Sequence, residues 1–209
     1  MNAKTTKQIE EMMNQTIGVE VEMNNITRTK AAQIAAEFFG TRRHENTAGR
    51  NGYCTYSAWD SEGREWKFQK DVSIHGPDSE KCELVTPILT YADMETLQEL
   101  IRRLRRAGAK SDATRSCGVH IHIGAKGHTA QTLRNLANIM ASHETLLASA
   151  LNLDRNRVTA TAARSARISW WNSTARSPKP WRHLRTPGTA VRMRITAGRR
   201  TTTRAATIC

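Results

Sequence analysis

A chain of 209 residues with a net charge of +13 has room for one substantial core, or for one domain and an appendage. No apolar run reaches membrane-spanning length, the N-terminus (MNAKTTKQIEEMMNQ) lacks a signal-peptide pattern, and the four cysteines (Cys54, Cys82, Cys117, Cys209) show no close pairing. These features argue against a membrane protein, a disulfide framework and a CxxC zinc site, and make a reduced, cytoplasmic protein the expectation.

The first element in chain order is a strand at 16–24, TIGVEVEMN, where Ile17, Val19, Val21 and Met23 alternate with Gly18, Glu20, Glu22 and Asn24. Thr27 can cap a helix to position 39, with Ala31, Ile34, Ala35 and Phe38 on one face and Gly40 ending it. GYCTYSAWD and REWKFQKD read as two strands joined by a turn at 61–63. After the loop SIHGPDSEK comes a strand, CELVTPIL, closed by Pro87. Thr90 and Asp93 open a second helix to about position 107, striped by Met94, Leu97, Leu100, Ile101 and Leu104 and stopped by Gly108. CGVHIHIG (117–124) reads as another strand, and Thr129 caps a third helix to about position 151. Strands outnumber helices and one hairpin is antiparallel, so the fold class is α+β.

The grammar changes after Asp154, the last acid in the chain. Residues 1–154 hold all 19 acids and 19 of the 32 basic residues, whereas residues 155–209 hold 13 basic residues and no acid. The basic character therefore belongs to the tail and says nothing about the domain before it. Lacking amphipathic period and caps, and with few aliphatic residues, residues 158–209 are expected to be disordered. Residues 1–157 then form the domain.

Four strand-like segments carry charge or imidazole. Glu20 and Glu22 share one face at i and i+2, about 7 Å apart, too wide for one ion but suited to carboxylates serving neighbouring metals. Asp71 ends the hairpin, Glu83 lies between Cys82 and Leu84, and His120 and His122 again stand at i and i+2. Each alone has an ordinary reading: solvated strand acids, a turn aspartate, packed and hydrogen-bonded sheet histidines. Together they read differently, because like-charged carboxylates lining one sheet face repel unless a cation sits among them. Oxygen ligands with few nitrogens and no thiolate favour Mg²⁺ or Mn²⁺ over zinc.

The strings GVEVEMNNITR, DVSIHGPDSEKCELVTPIL and CGVHIHIGA, in this order and spacing over about residues 16–157, resemble the amidoligase family. That family belongs to the carboxylate–amine ligase superfamily of glutamine synthetase and glutamate–cysteine ligase. The resemblance implies a curved antiparallel sheet with flanking helices, whose concave face holds ATP and divalent metals. It implies phosphorylation of a small-molecule or peptide carboxylate by ATP, then attack of an amine on the acyl phosphate. By motif, Glu20 and Glu22 match the metal-coordinating Glu-x-Glu, and Glu83 the strand carboxylate that completes a metal site. His120 matches a metal ligand and His122 a contact to an ATP phosphate. Asp71 and Ser73 match an Asp-x-Ser motif that positions metal or substrate.

Nothing in the tail matches the family's later Glu-Phe-Arg-type strand, which supplies a further metal ligand and an arginine. TTTRAATIC back-translates, with permitted codons, as ACT ACA ACG AGA GCC GCT ACC ATA TGC; one base out of register after a C, that reads HYNESRYHM, which resembles the missing family region. A frameshifted C-terminus and an incomplete, inactive catalytic sheet are therefore expected. A competing reading is a nucleic-acid-binding protein acting through the basic tail, non-specifically and with steep salt dependence. A third, a metal hydrolase using His-x-His, needs another nitrogen ligand; His75, His128 and His143 sit in a loop, near a helix start and on a helix.

Overall fold

The computed structural model describes residues 2–49, 52–153 and, as backbone, 191–195. It divides into two compact units, Met1–Gly124 with Ala190–Ile195, and Ala125–Thr189 with Thr196–Cys209. The first unit contains three α-helices, α1 (Ala3–Met13), α2 (Arg28–Phe38) and α3 (Met94–Arg106). Its strands are β1 (Ile17–Met23), β2 (His44–Asn46), β3 (Tyr56–Trp59), β4 (Glu65–Gln69), β5 (Cys82–Val85), β6 (Val119–Ile123) and β7 (Val191–Ile195). They form one antiparallel sheet in the order β2-β3-β4-β5-β1-β6-β7. Helices and an open antiparallel sheet make the class α+β, as the sequence implied.

Period-two alternation gives the sheet two unlike faces. Cross-strand pairs Ala58↔Trp66, Phe68↔Leu84, Leu84↔Val21 and Val21↔Val119 run along one of them. These residues join Leu97, Leu100 and Leu104 of α3 and Ala31, Ala32, Ala35 and Ala36 of α2 in one core. Trp66, Phe68, Leu84 and Leu100 are fully buried, and each contributes about 1.5–3 kcal/mol relative to exposure. The four alanines let the backbone of α2 approach the sheet closely, where bulkier residues would hold it away. Thr27 caps α2 by accepting from Lys30 N, which satisfies one of the otherwise unpaired first-turn donors.

The β3–β4 hairpin is locked at its turn by Asp60. Its Oδ1 accepts from the backbone of Glu62 and Arg64, and its Oδ2 accepts from Arg64 Nε at 2.8 Å and Trp66 Nε1 at 2.9 Å. Arg64 also reaches Asp93 at 2.9 Å, while Asp93 accepts from Thr90 N in the capping box that opens α3. One arginine thus ties the hairpin turn to a helix start. Beside β1, the Thr86 hydroxyl accepts from Val19 N and Thr86 N donates to Val19 O, extending the β1–β5 pairing up to Pro87.

The second unit's described part is chiefly α4 (Ala130–Ala150), capped by Thr129 as its sequence implies. Three elements escaped the sequence reading: α1, the three-residue β2 and β7. The segment expected to be disordered lies outside the described residues except for Val191–Ile195, which forms a strand. In VRMRI, Val191, Met193 and Ile195 stand in register with Ile123, Ile121 and Val119. Pairing with β6 supplies the backbone partners that composition alone could not foresee.

Candidate functional site

The second face of the sheet carries the chemistry. Register makes it so: Glu22 lies opposite Glu83, Glu20 opposite His120, and Gly18 opposite His122. Because neighbours across an antiparallel ladder share a face, three sequence-distant motifs converge on β1, β5 and β6. Glu22 and His120 are fully buried and Glu83 is 5% exposed, so these polar side chains must satisfy one another.

His120 is wedged between the two carboxylates of β1. Its Nδ1 lies 2.5 Å from Glu20 Oε2 and its Nε2 lies 3.6 Å from Glu22 Oε1. His122 Nε2 lies 3.1 Å from Glu20 Oε1 but out of line for a hydrogen bond. Asp71 sits at the start of the loop after β4, where its Oδ1 accepts from Ser73 N at 2.7 Å. The Ser73 hydroxyl is buried with no hydrogen-bond partner. All seven residues singled out in the sequence thus belong to this sheet face or to the loop that joins β4 to β5.

Two groupings have ligand atoms within 4.8 Å of one another: Glu20 with Glu83 and His120, and Glu22 with Asp71 and Glu83. Glu83 is common to both, and Glu20 and Glu22 fall in different groupings, as their spacing along a strand requires. Burial first, and then the negative charge of Glu20, Asp71 and Glu22, push the Glu83 carboxyl up to about 7, partly offset by a hydrogen bond from Gln69. Such a cluster is relieved by a proton or by a cation. The donor set is oxygen-rich, with one imidazole in one grouping, which fits a pair of small hard divalent cations. Cys82, next to Glu83 in sequence, points its alternation to the core; burial pushes its thiol up to about 12, which keeps it a neutral core residue.

Two features went unread in the sequence. Gln69 lies opposite Glu83 in the ladder and its Nε2 donates to Glu83 Oε2 at 3.0 Å. The alternation of EWKFQ, with Trp66 and Phe68 to the core, would have placed Gln69 on the acidic face. Arg192 and Arg194 of β7 stand in register with His122 and His120, a consequence of the same period in VRMRI.

Among the described residues, no helix is long and apolar enough to cross a membrane, and Cys54, Cys82 and Cys117 form no disulfide. A family model described as "putative amidoligase enzyme" matches residues 13–186, so the match runs past position 157, the expected limit of the domain. No curated protein and no solved structure matches the chain.

Proposed function

Because the chain belongs to the amidoligase family, we propose that it is an ATP-dependent carboxylate–amine ligase whose β1–β5–β6 cluster holds Mg²⁺ or Mn²⁺. The observation that carries this is the pair of ligand groupings joined through Glu83. On this reading Glu20, Glu83 and His120 hold one cation, and Glu22, Asp71 and Glu83 hold a second. Bound there, the cations would neutralise phosphate oxygens and the charge that develops during phosphoryl transfer.

The chain's own contribution is positioning. His120 fixes the carboxylates of Glu20 and Glu22 relative to each other. His122, next along β6, is the residue we assign to an ATP phosphate oxygen. Asp71 holds the turn that carries Ser73 through its bond from the Ser73 amide, and on this reading the Asp71–Ser73 pair positions metal or substrate. In the reaction a substrate carboxylate oxygen attacks the γ-phosphorus and ADP leaves. A neutral amine then attacks the acyl carbon, phosphate departs, and the amine nitrogen gives up one proton. The scaffold on this reading is a glutamine synthetase-like sheet, the setting is cytoplasmic, and the substrates are small-molecule or peptide carboxylates and amines.

The sequence of the tail holds no Glu-Phe-Arg-type motif; β7 brings two arginines into register with the histidines but no carboxylate. Metal–nucleotide binding with little turnover is therefore the expected phenotype. The family match continues in frame to residue 186, past codons 157–160, so the proposed frameshift is tested by the nucleotide sequence, where a single-base shift beyond that match must restore a family-like continuation. The site itself is tested by calorimetric titration of Mg²⁺–ATP into the full chain and into Glu20→Gln. Binding by the full chain, weakened at least about tenfold in the variant, is expected; heat in neither titration would sink the claim of a working site.

A further inference from the structure

We propose that Gln69 is a positioning residue that makes Glu83 a one-oxygen ligand and thereby favours small six-coordinate cations over calcium. The inference rests on the metal-site reading above and adds to it a residue and a selectivity.

Glu83 is the hinge of the site, since both ligand groupings include it. It is 5% exposed, so its orientation depends on protein groups rather than bulk water. Gln69 stands directly opposite it on β4, and the amide Nε2 donates to Oε2 at 3.0 Å. Lys67, two residues earlier on the same face, is drawn instead to Glu65 Oε2 at 3.5 Å. A neutral amide therefore meets Glu83 where a lysine would have brought a charge competing with any cation.

The consequence follows from coordination chemistry. Calcium takes about 6–8 oxygens at flexible geometry and often binds both oxygens of a carboxylate, whereas magnesium demands about six in a tight octahedron. A carboxylate gripped through Oε2 would offer Oε1 alone to the cations of both groupings and is poorly placed to wrap both oxygens around one ion. Hydrogen bonds to ligating carboxylates commonly set metal affinity by about 10–100-fold. Gln69 thus tunes the site through Glu83 without touching the metal.

The test titrates Mg²⁺, Mn²⁺ and Ca²⁺, each alone, into the full chain and into Gln69→Met, which keeps the side-chain volume and removes the donor. Expected is a loss of Mg²⁺ affinity of about tenfold with Ca²⁺ affinity held or improved, in a metal-free protein that remains folded. In a Glu83→Gln background the same substitution should leave the Mg²⁺ to Ca²⁺ ratio where it was. Should Gln69→Met fold poorly, Gln69→Asn, which keeps the amide at shorter reach, should give an intermediate ratio. Parallel loss of both cations, no change in the ratio, or a ratio shift that persists without Glu83 would overturn the proposal while leaving the site reading intact. Failure of the unsubstituted chain to bind any of the three cations would instead remove the site reading and this inference with it.

Discussion

Glu83 titrates in the wrong direction for a carboxylate that stabilises its fold. Its carboxyl is pushed from an ordinary 4.5 up to about 7 by burial and by its acidic neighbours. Between those values the unfolded chain has released a proton that the folded chain retains, so folding stability falls as pH rises through the window. The term is on the order of 3 kcal/mol for the metal-free protein. We expect the metal-free melting temperature to drop between pH 5 and pH 8, and Glu83→Gln to flatten most of that slope. A slope that survives the substitution would assign the effect elsewhere. Mg²⁺ affinity should rise over the same interval, because proton and cation compete for one carboxylate. At this scale the sequence was informative about residue type: Glu20, Glu22, Glu83, His120 and His122 stood out through alternation and co-occurrence. Gln69 did not, because an amide carries no chemical signature until its partner is known.

The elements were legible where local chemistry decides them. Thr27, Thr129 and the Thr90–Asp93 pair announce helix starts because their hydroxyls or carboxylates satisfy first-turn donors close in sequence. The β3–β4 hairpin follows from Gly63 at φ +77° in the turn and from Asp60, which accepts from two backbone amides, Arg64 and Trp66. Burial opposes ionisation of Asp60, yet hydrogen bonds from Trp66 and Arg64 outweigh it and lower the carboxyl. Its contribution is therefore present above pH 3.8 and lost as pH falls through the lower folded value. Replacing Asp60 by Ala leaves the buried Trp66 indole N–H unpaired and frees the turn, so a loss of about 2–3 kcal/mol is expected in denaturant unfolding. Asp60→Asn should cost less, since one acceptor survives. Equal costs would show that charge rather than hydrogen bonding holds the turn. Helix α1 and strand β2 were missed for opposite reasons. The former has no buried residue to impose a stripe, and the latter is three exposed residues whose strand state exists only by pairing with β3.

Across the whole molecule, the sheet's two edges differ. At one end β2 is short and carries His44 and Glu45, features that discourage pairing with other chains. At the other end β6 is covered by β7, drawn from a segment whose composition shows no sign of structure. Without that strand, the row of backbone donors and acceptors on β6 would lie open beside the acidic cluster. A chain ending at residue 189 should form more oligomer and aggregate in light scattering than the full chain at equal concentration. Identical profiles would mean that β7 does not protect the edge.

The sequence by itself determined the alternation that separates an apolar from an acidic sheet face, the helix caps, the hairpin turn and the residues that could bind a cation. Those are short-range properties, set within a few positions by periodicity, capping and side-chain chemistry. Only the tertiary structure decided that β1 lies between β5 and β6, which brings Glu22 opposite Glu83 and Glu20 opposite His120. It alone decided that Glu83 belongs to both ligand groupings, that Gln69 grips it, and that VRMRI completes the sheet. The reason is physical: strand order and register are chosen by the burial of the whole apolar face at once, a sum over partners far apart in the chain.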